Sequence, residues 1–125
     1  MNFRTFRRLL TFEQARLGVI TEEKDLVKLL SESLPYLENC YIARQEAVHR
    51  SGIPDFIICY RGFFIGIEAK DNTGKQSKLQ KEKEIKITGA GGIYVLAAEV
   101  APIIKAMEVV NDKAAVLEEA LEAVR

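Results

Sequence analysis

Charge of one sign, cysteine, histidine and long apolar runs are all scarce in this chain of 125 residues, and each scarcity removes a class of protein. Eighteen Lys and Arg side chains are matched by eighteen Asp and Glu, so the formal net charge is zero and the global basic signature of a nucleic-acid binder is missing. Cys40 and Cys59 are the only cysteines and lack C-x-x-C spacing, which supports neither a zinc site nor a disulfide framework. His49, the sole histidine, sits alone before a glycine and is assigned no role. No stretch approaches the length of a membrane span, and Met1 to Arg8 lacks the continuous apolar segment of a secretion signal, so a cytoplasmic location is expected. Repeats and low-complexity tracts are also absent. With 48% hydrophobic residues, the chain carries enough apolar material for one core and is expected to form a single domain over residues 1–125.

What the chain does have is a pair of short strings, Gly52-Ile53-Pro54-Asp55 and Glu68-Ala69-Lys70, whose acids lie thirteen residues apart. Asp55 to Tyr60 and Phe63 to Ala69 are β-branched and aromatic runs separated by Arg61-Gly62, the pattern of a hairpin. A two-residue turn there pairs Tyr60 with Phe63, and every facing pair then has residue numbers summing to 123. Asp55 falls opposite Glu68. Their Cβ atoms would lie about 5 Å apart, a distance at which like charges repel unless a cation separates them. Lys70 shares their face by the period-two alternation of strands, Gly66 opposite Ile57 is expected to leave room there, and Cys59 reads as a small filler on the same side. Phe56, Ile58, Ile65 and Ile67 make the opposite face uniformly apolar.

Two acids and a lysine in that arrangement suit phosphodiester chemistry. A hard cation such as magnesium binds carboxylate oxygens, keeps several waters and neutralises charge developing on a phosphate. Asp55 and Glu68 could supply the carboxylates, the carbonyl of Ala69 a neutral oxygen, and the ammonium of Lys70 a charge that orients water or stabilises the pentavalent phosphorus. An isolated E-x-K on a strand is ordinarily a solvated surface pair. The second acid at the register-matched position is what sets this one apart.

These strings, followed by Thr73-Gly74-Lys75-Gln76-Ser77-Lys78-Leu79-Gln80 and Gly91-Gly92-Ile93-Tyr94-Val95-Leu96, resemble the VRR-NUC branch of the PD-(D/E)xK nuclease superfamily over about residues 21–98. The resemblance implies a restriction-endonuclease-like α/β core, dependence on magnesium or manganese, and DNA as substrate. It implies catalytic roles for Asp55, Glu68 and Lys70, and matches Gln80 to a glutamine on a helix near the active site. It also implies an acid on the first core helix. Glu22 and Glu23 both qualify, and Glu23 points closer to the apolar stripe of that helix. First-turn acids also simply complement the helix dipole. Such domains occur in phages and bacteria, and some are small dimers similar to Holliday-junction resolvases, so a homodimer is an expectation of the same kind. The alternative is a catalytically inactive nucleic-acid-binding module that keeps the nuclease-like fold.

The predicted elements fit an α/β fold with a mixed sheet of about four strands, an antiparallel meander plus a crossover strand, flanked by helices. A basic N-terminal segment over residues 1–20 is helical between Phe3 and Leu17 and carries Arg4, Arg7, Arg8 and Arg16 against Glu13 up to that point. An amphipathic helix follows from Thr21, its N-cap, to about Leu37. Tyr41 to Ala47 is the first strand, Gln76 to Thr88 a weakly amphipathic and partly exposed helix, and Ile93 to Ala97 the crossover strand. Two extra C-terminal helices, Ala101 to Val110 and Asp112 to Val124, complete the chain over about residues 100–124. Lys75 and Lys78 belong to a lysine-rich stretch beside the proposed site and, with Arg50 and Arg61, are candidate phosphate contacts, although charge runs of this sort are commonly solvated faces.

Overall fold

A computed structural model describes residues 1–44 and 52–125; His49, Arg50 and the last three residues of the expected first strand lie outside the described residues. The elements run α1 (Phe3–Leu17), α2 (Glu23–Ser33), a 3₁₀ turn (Leu34–Tyr36), β1 (Cys40–Arg44), β2 (Phe56–Tyr60), β3 (Phe63–Ala69), α3 (Lys78–Gly89), β4 (Ile93–Ala97) and α4 (Ala101–Val124). The sheet order is β1-β2-β3-β4. The first three strands are an antiparallel meander and β4 joins β3 in parallel, so α3 is the crossover the sequence anticipates. The α/β class with a four-stranded mixed sheet therefore holds.

The β2–β3 hairpin follows its turn. Arg61 and Gly62 both have positive φ, 51° and 91°, as a two-residue type I′ turn requires. Phe56 pairs with Ile67, Ile58 with Ile65 and Tyr60 with Phe63, which is the register summing to 123. Phe56, Ile58, Ile65 and Ile67 are buried in one cluster with Phe6 and Leu10 of α1, Leu26 and Leu30 of α2, and Ile103, Met107 and Val110 of α4. Each such side chain contributes about 1.5–3 kcal/mol by leaving water. Helices α1, α2 and α4 thus seal the apolar face and leave the acid-bearing face to α3.

Beyond shifts of one or two residues at the starts of β1 and α3, four details differ from the sequence reading. Helix α2 starts at Glu23 with Glu22 as the cap, so Thr21 lies outside it, and it ends at Ser33. Pro35 lacks the N–H that would continue the α-helical ladder, and the chain tightens into the 3₁₀ turn while Leu34 and Leu37 stay buried. The C-terminal segment is one helix of 24 residues, not two. Asn111 lies between the expected pair with no glycine or proline beside it, and its side chain accepts from the Tyr60 hydroxyl at 3.0 Å and Arg61 Nη1 at 2.9 Å instead of capping a break. Gly66 leaves no open room. A Cβ there would lie 3.0 Å from Pro54 Cγ and 3.3 Å from Ile87 Cδ1, because the Pro54 ring and α3 cover it. Cys59 is exposed and fills nothing. Among the described residues, no helix is long and apolar enough to cross a membrane.

Candidate active site at the open end of the hairpin

Asp55 precedes β2 and Glu68 lies near the end of β3, so the hairpin register brings them face to face at the end opposite the turn. Two backbone amides lock them together. Asp55 N–H donates to Glu68 Oε2 at 3.2 Å, and Ala69 N–H donates to Asp55 Oδ2 at 2.9 Å. Each acid is thus held by the other strand's backbone. Glu68 is only 6% exposed.

Helix α3 supplies the third attachment. Its N-terminus is a capping box, with Gln80 N–H donating to Ser77 Oγ at 3.1 Å and Ser77 N–H to Gln80 Oε1 at 2.9 Å. The same Gln80 side chain donates from Nε2 to Glu68 Oε1 at 2.7 Å. Its amide orientation is therefore fixed from both ends, oxygen toward the cap and nitrogen toward the carboxylate. Gly52 brings the Asp55 loop to this helix. At φ 74°, it packs so close to the backbone of Leu79 and Gln80 that a Cβ would collide with it. Only glycine meets both conditions. The loop carrying one acid and the helix orienting the other are consequently docked by a single residue.

Burial and crowding of negative charge show in Glu68, whose carboxyl is pushed up from 4.5 to about 7. Burial is the largest cause and repulsion by Asp55 the next. The Asp55 amide and Lys70 counteract them, and Glu23 adds a smaller repulsion. Glu23, exposed in the first turn of α2, is therefore electrostatically part of the site, whereas Glu22 is paired with Lys24 at 3.0 Å. Lys70 is anchored by its own N–H to the Ala97 carbonyl at 2.8 Å, and among the described residues its ammonium has no carboxylate within ion-pair distance. A half-exposed cation beside two carboxylates is thus left free to meet a ligand.

Sequence reasoning missed Tyr94. The parallel register sets it beside Gly66 on the side of Glu68, and its phenol accepts from Gln76 Nε2 at 3.1 Å. Burial, together with repulsion by Glu68, Glu84 and Asp55, pushes it up to about 12, so it stays a neutral hydroxyl next to the acids. The signal lay in the crossover register, which becomes readable only once β4 is known to be parallel to β3.

The expected phosphate contacts separate. Lys75 and Lys78 are exposed in the loop before α3 and in its first turn, close in sequence to Gln80. Arg61 sits at the far end of the hairpin, where it is bound to Asn111 and pairs with Glu118 at 2.7 Å. It is a tie between the turn and α4, which removes it from the candidate contact set.

The donor set fits a hard divalent cation in one specific way. Among the described residues, no three His, Cys, Asp or Glu side chains gather at metal-binding distance, so there is no protein cage. Two carboxylates with water and substrate completing the shell is, however, the usual manner of binding magnesium. Asp55 Oδ1 has no hydrogen-bond partner and is not sealed from solvent. Compared with known proteins, the chain matches no family model, no curated protein and no solved structure.

Proposed function

We propose that this protein is a nuclease that hydrolyses phosphodiester bonds in DNA with the help of magnesium or manganese. The observation that carries this reading is the amide lock between Asp55 and Glu68. Folding gains nothing from burying one carboxylate beside another, yet two backbone amides and Gln80 hold the pair in place. Fixed charge of that sort is what a site needs to bind a cation without reorganising.

Asp55 and Glu68 would hold the cation, with the Ala69 carbonyl as a neutral third oxygen. When bound, the cation supplies neutralisation of phosphate charge and a water acidic enough to attack near neutral pH. Lys70 stands beside the pair with its ammonium free, placed to orient the attacking water or to balance charge on the phosphorus as the in-line displacement breaks the P–O bond. Gln80 is a positioning residue that keeps the Glu68 carboxylate in one orientation. Glu23 adds negative potential from the first turn of α2, and Lys75 and Lys78 offer cations for the flanking phosphates. The same order of residues resembles the VRR-NUC nucleases, which agrees with DNA as the substrate class and with a structure-selective, dimeric, cytoplasmic enzyme.

The test is a panel of branched and linear DNAs incubated with magnesium or manganese and read alongside the mass of the protein in solution. The wild type is expected to cut or nick at least one of them, and Lys70→Ala to abolish cutting, by a factor of about 100 or more, with its melting curve unchanged. Cutting that survives Lys70→Ala overturns the assignment. Salt-sensitive DNA binding with no metal-dependent turnover, unaffected by Glu68→Gln, would instead establish a silent binding module.

A further inference from the structure

On the helical layer, away from the acids, α1 and α4 bound an open groove of about 750 Å³. Its chemistry is unlike that of an ordinary solvated face. Phe12 stands at its lip with 65% of its surface exposed, although α1 has a well-formed buried side in Phe6 and Leu10. Arg8 lies one helical turn before Phe12 and shares the groove with Lys105 of α4, while Arg4 lies one further turn back along α1, outside the groove lining. Arg7 is paired with Glu108 at 3.6 Å, whereas Arg4, Arg8 and Lys105 have no acidic partner among the described residues. In a chain of zero net charge, this is a local excess of free cations around an exposed aromatic ring.

Ala15 lines both the groove and a second trough of about 610 Å³ that continues past Gly18 and Pro102 to Asn72. Asn72 is two residues beyond Lys70. The two troughs adjoin at Ala15, and Glu99 is the one charged side chain lining the second, so the cationic character is confined to the first.

We infer that the α1/α4 groove is a binding track for single-stranded nucleic acid, in which Phe12 stacks on an unpaired base and Arg8 and Lys105 contact flanking phosphates. Free cations favour a polyanion, and the exposed ring favours one whose base faces are open. In duplex DNA those faces are already stacked. The inference rests on the proposed function in taking nucleic acid as the ligand. It adds that an unpaired segment of the ligand is held on the helical layer, away from the acids.

The chain contains no tryptophan, so Phe12→Trp introduces a single reporter at an exposed position. Titration of that variant with an oligothymidylate in EDTA, where no cutting occurs, is expected to quench the new indole. Against wild type, Phe12→Ala should weaken oligothymidylate binding about tenfold. Arg8→Ala and Lys105→Ala should each make the slope of log affinity against log salt shallower by about 0.7. An unquenched indole at saturating oligonucleotide, or binding unchanged in all three alanine variants, overturns the track. A concentration-dependent mass that Phe12→Ala abolishes, with no effect of the oligonucleotide, also overturns it by making the groove a contact between copies. Metal-dependent cutting by the wild type, together with an unquenched indole, defeats the track and leaves the nuclease reading intact. Quenching without cutting of any DNA defeats that reading and leaves the track.

Discussion

The two ends of the β2–β3 hairpin are built on opposite principles. At the turn, every strong group has a partner: Arg61 pairs with Glu118, its Nη1 and the Tyr60 hydroxyl share Asn111, and its backbone N–H donates to Asn39 at 3.0 Å. At the open end, Asp55 and Glu68 are pressed together, Glu23 adds to the repulsion, and the ammonium of Lys70 is unpaired among the described residues. One ribbon thus carries a joint that stabilises and a cluster that costs stability. A protein that resolves its charges so completely at one end has the means to do so at the other. Retained repulsion in a fixed geometry points to a ligand that relieves it.

Each end also depends on a glycine at positive φ, and the largest expected effect comes from replacing them. A Cβ on Gly52 would strike the backbone of Leu79 and Gln80, which cannot move without shifting α3. A Cβ on Gly62 would meet only the Leu117 side chain, whose flexible tip Cδ2 lies at 2.7 Å. Gly52→Ala should therefore cost about 3 kcal/mol or more and detach Gln80 from Glu68, while Gly62→Ala should cost about 1–2 kcal/mol, chiefly backbone strain. Thermal melts of the two variants, with the DNA-cutting assay beside them, check this. Equal losses of stability, or full cutting by Gly52→Ala, would mean that the α3 contact does not organise the site.

The second effect is a dependence on pH that only the open end should show. Glu68 titrates near 7 in the folded chain and near 4.5 when unperturbed. Between those values the folded state holds a proton that the unfolded state has released, so stability falls as pH rises through this window. After allowance for solvent screening, the loss is about 1–2 kcal/mol by pH 8. The difference in melting temperature between wild type and Glu68→Gln isolates it, because any fixed cost of the new amide cancels from the slope. Under the proposed function, magnesium or manganese would replace the missing proton and should raise the melting temperature more at pH 8 than at pH 5. A difference that is flat with pH would show that Asp55 and Glu68 are not under strain.

How much of this was readable beforehand follows from how local each determinant is. The hairpin, its register and the Asp55–Glu68 pairing come from a two-residue turn and a period of two, both written in adjacent residues. The capping box Ser77-x-x-Gln80 is just as local, but the sequence reading passed over it and began the helix at Gln76, whereas Ser77 is the cap and α3 starts at Lys78. What could not be read was set by distant partners. Arg61 looked free until α4 supplied Asn111 and Glu118, and Asn111 looked like a break until Tyr60 and Arg61 occupied its side chain. The space at Gly66 looked open until Pro54 and Ile87 filled it. Tyr94 joined the site only through the parallel pairing of β4.

The smallest effect tests whether α2 belongs to the open end at all. Glu22 and Glu23 are adjacent, both exposed and both at the start of the helix, so composition and helix dipole treat them alike. Their surroundings do not. Glu22 is neutralised locally by Lys24, while Glu23 contributes the weakest of the repulsions that hold the Glu68 carboxyl up. Glu23→Gln should therefore lower the Glu68 titration midpoint slightly, by less than Asp55→Asn does, and Glu22→Gln should leave it where it is. Carboxyl chemical shifts followed across pH 4–9 in the three variants read this directly. A midpoint that moves equally for both glutamates would reduce Glu23 to general surface charge and confine the site to the hairpin and α3. A shift for Glu23→Gln alone would extend it across the edge of the sheet to a third element, whose first turn then faces the same ligand as Asp55, Glu68 and Lys70.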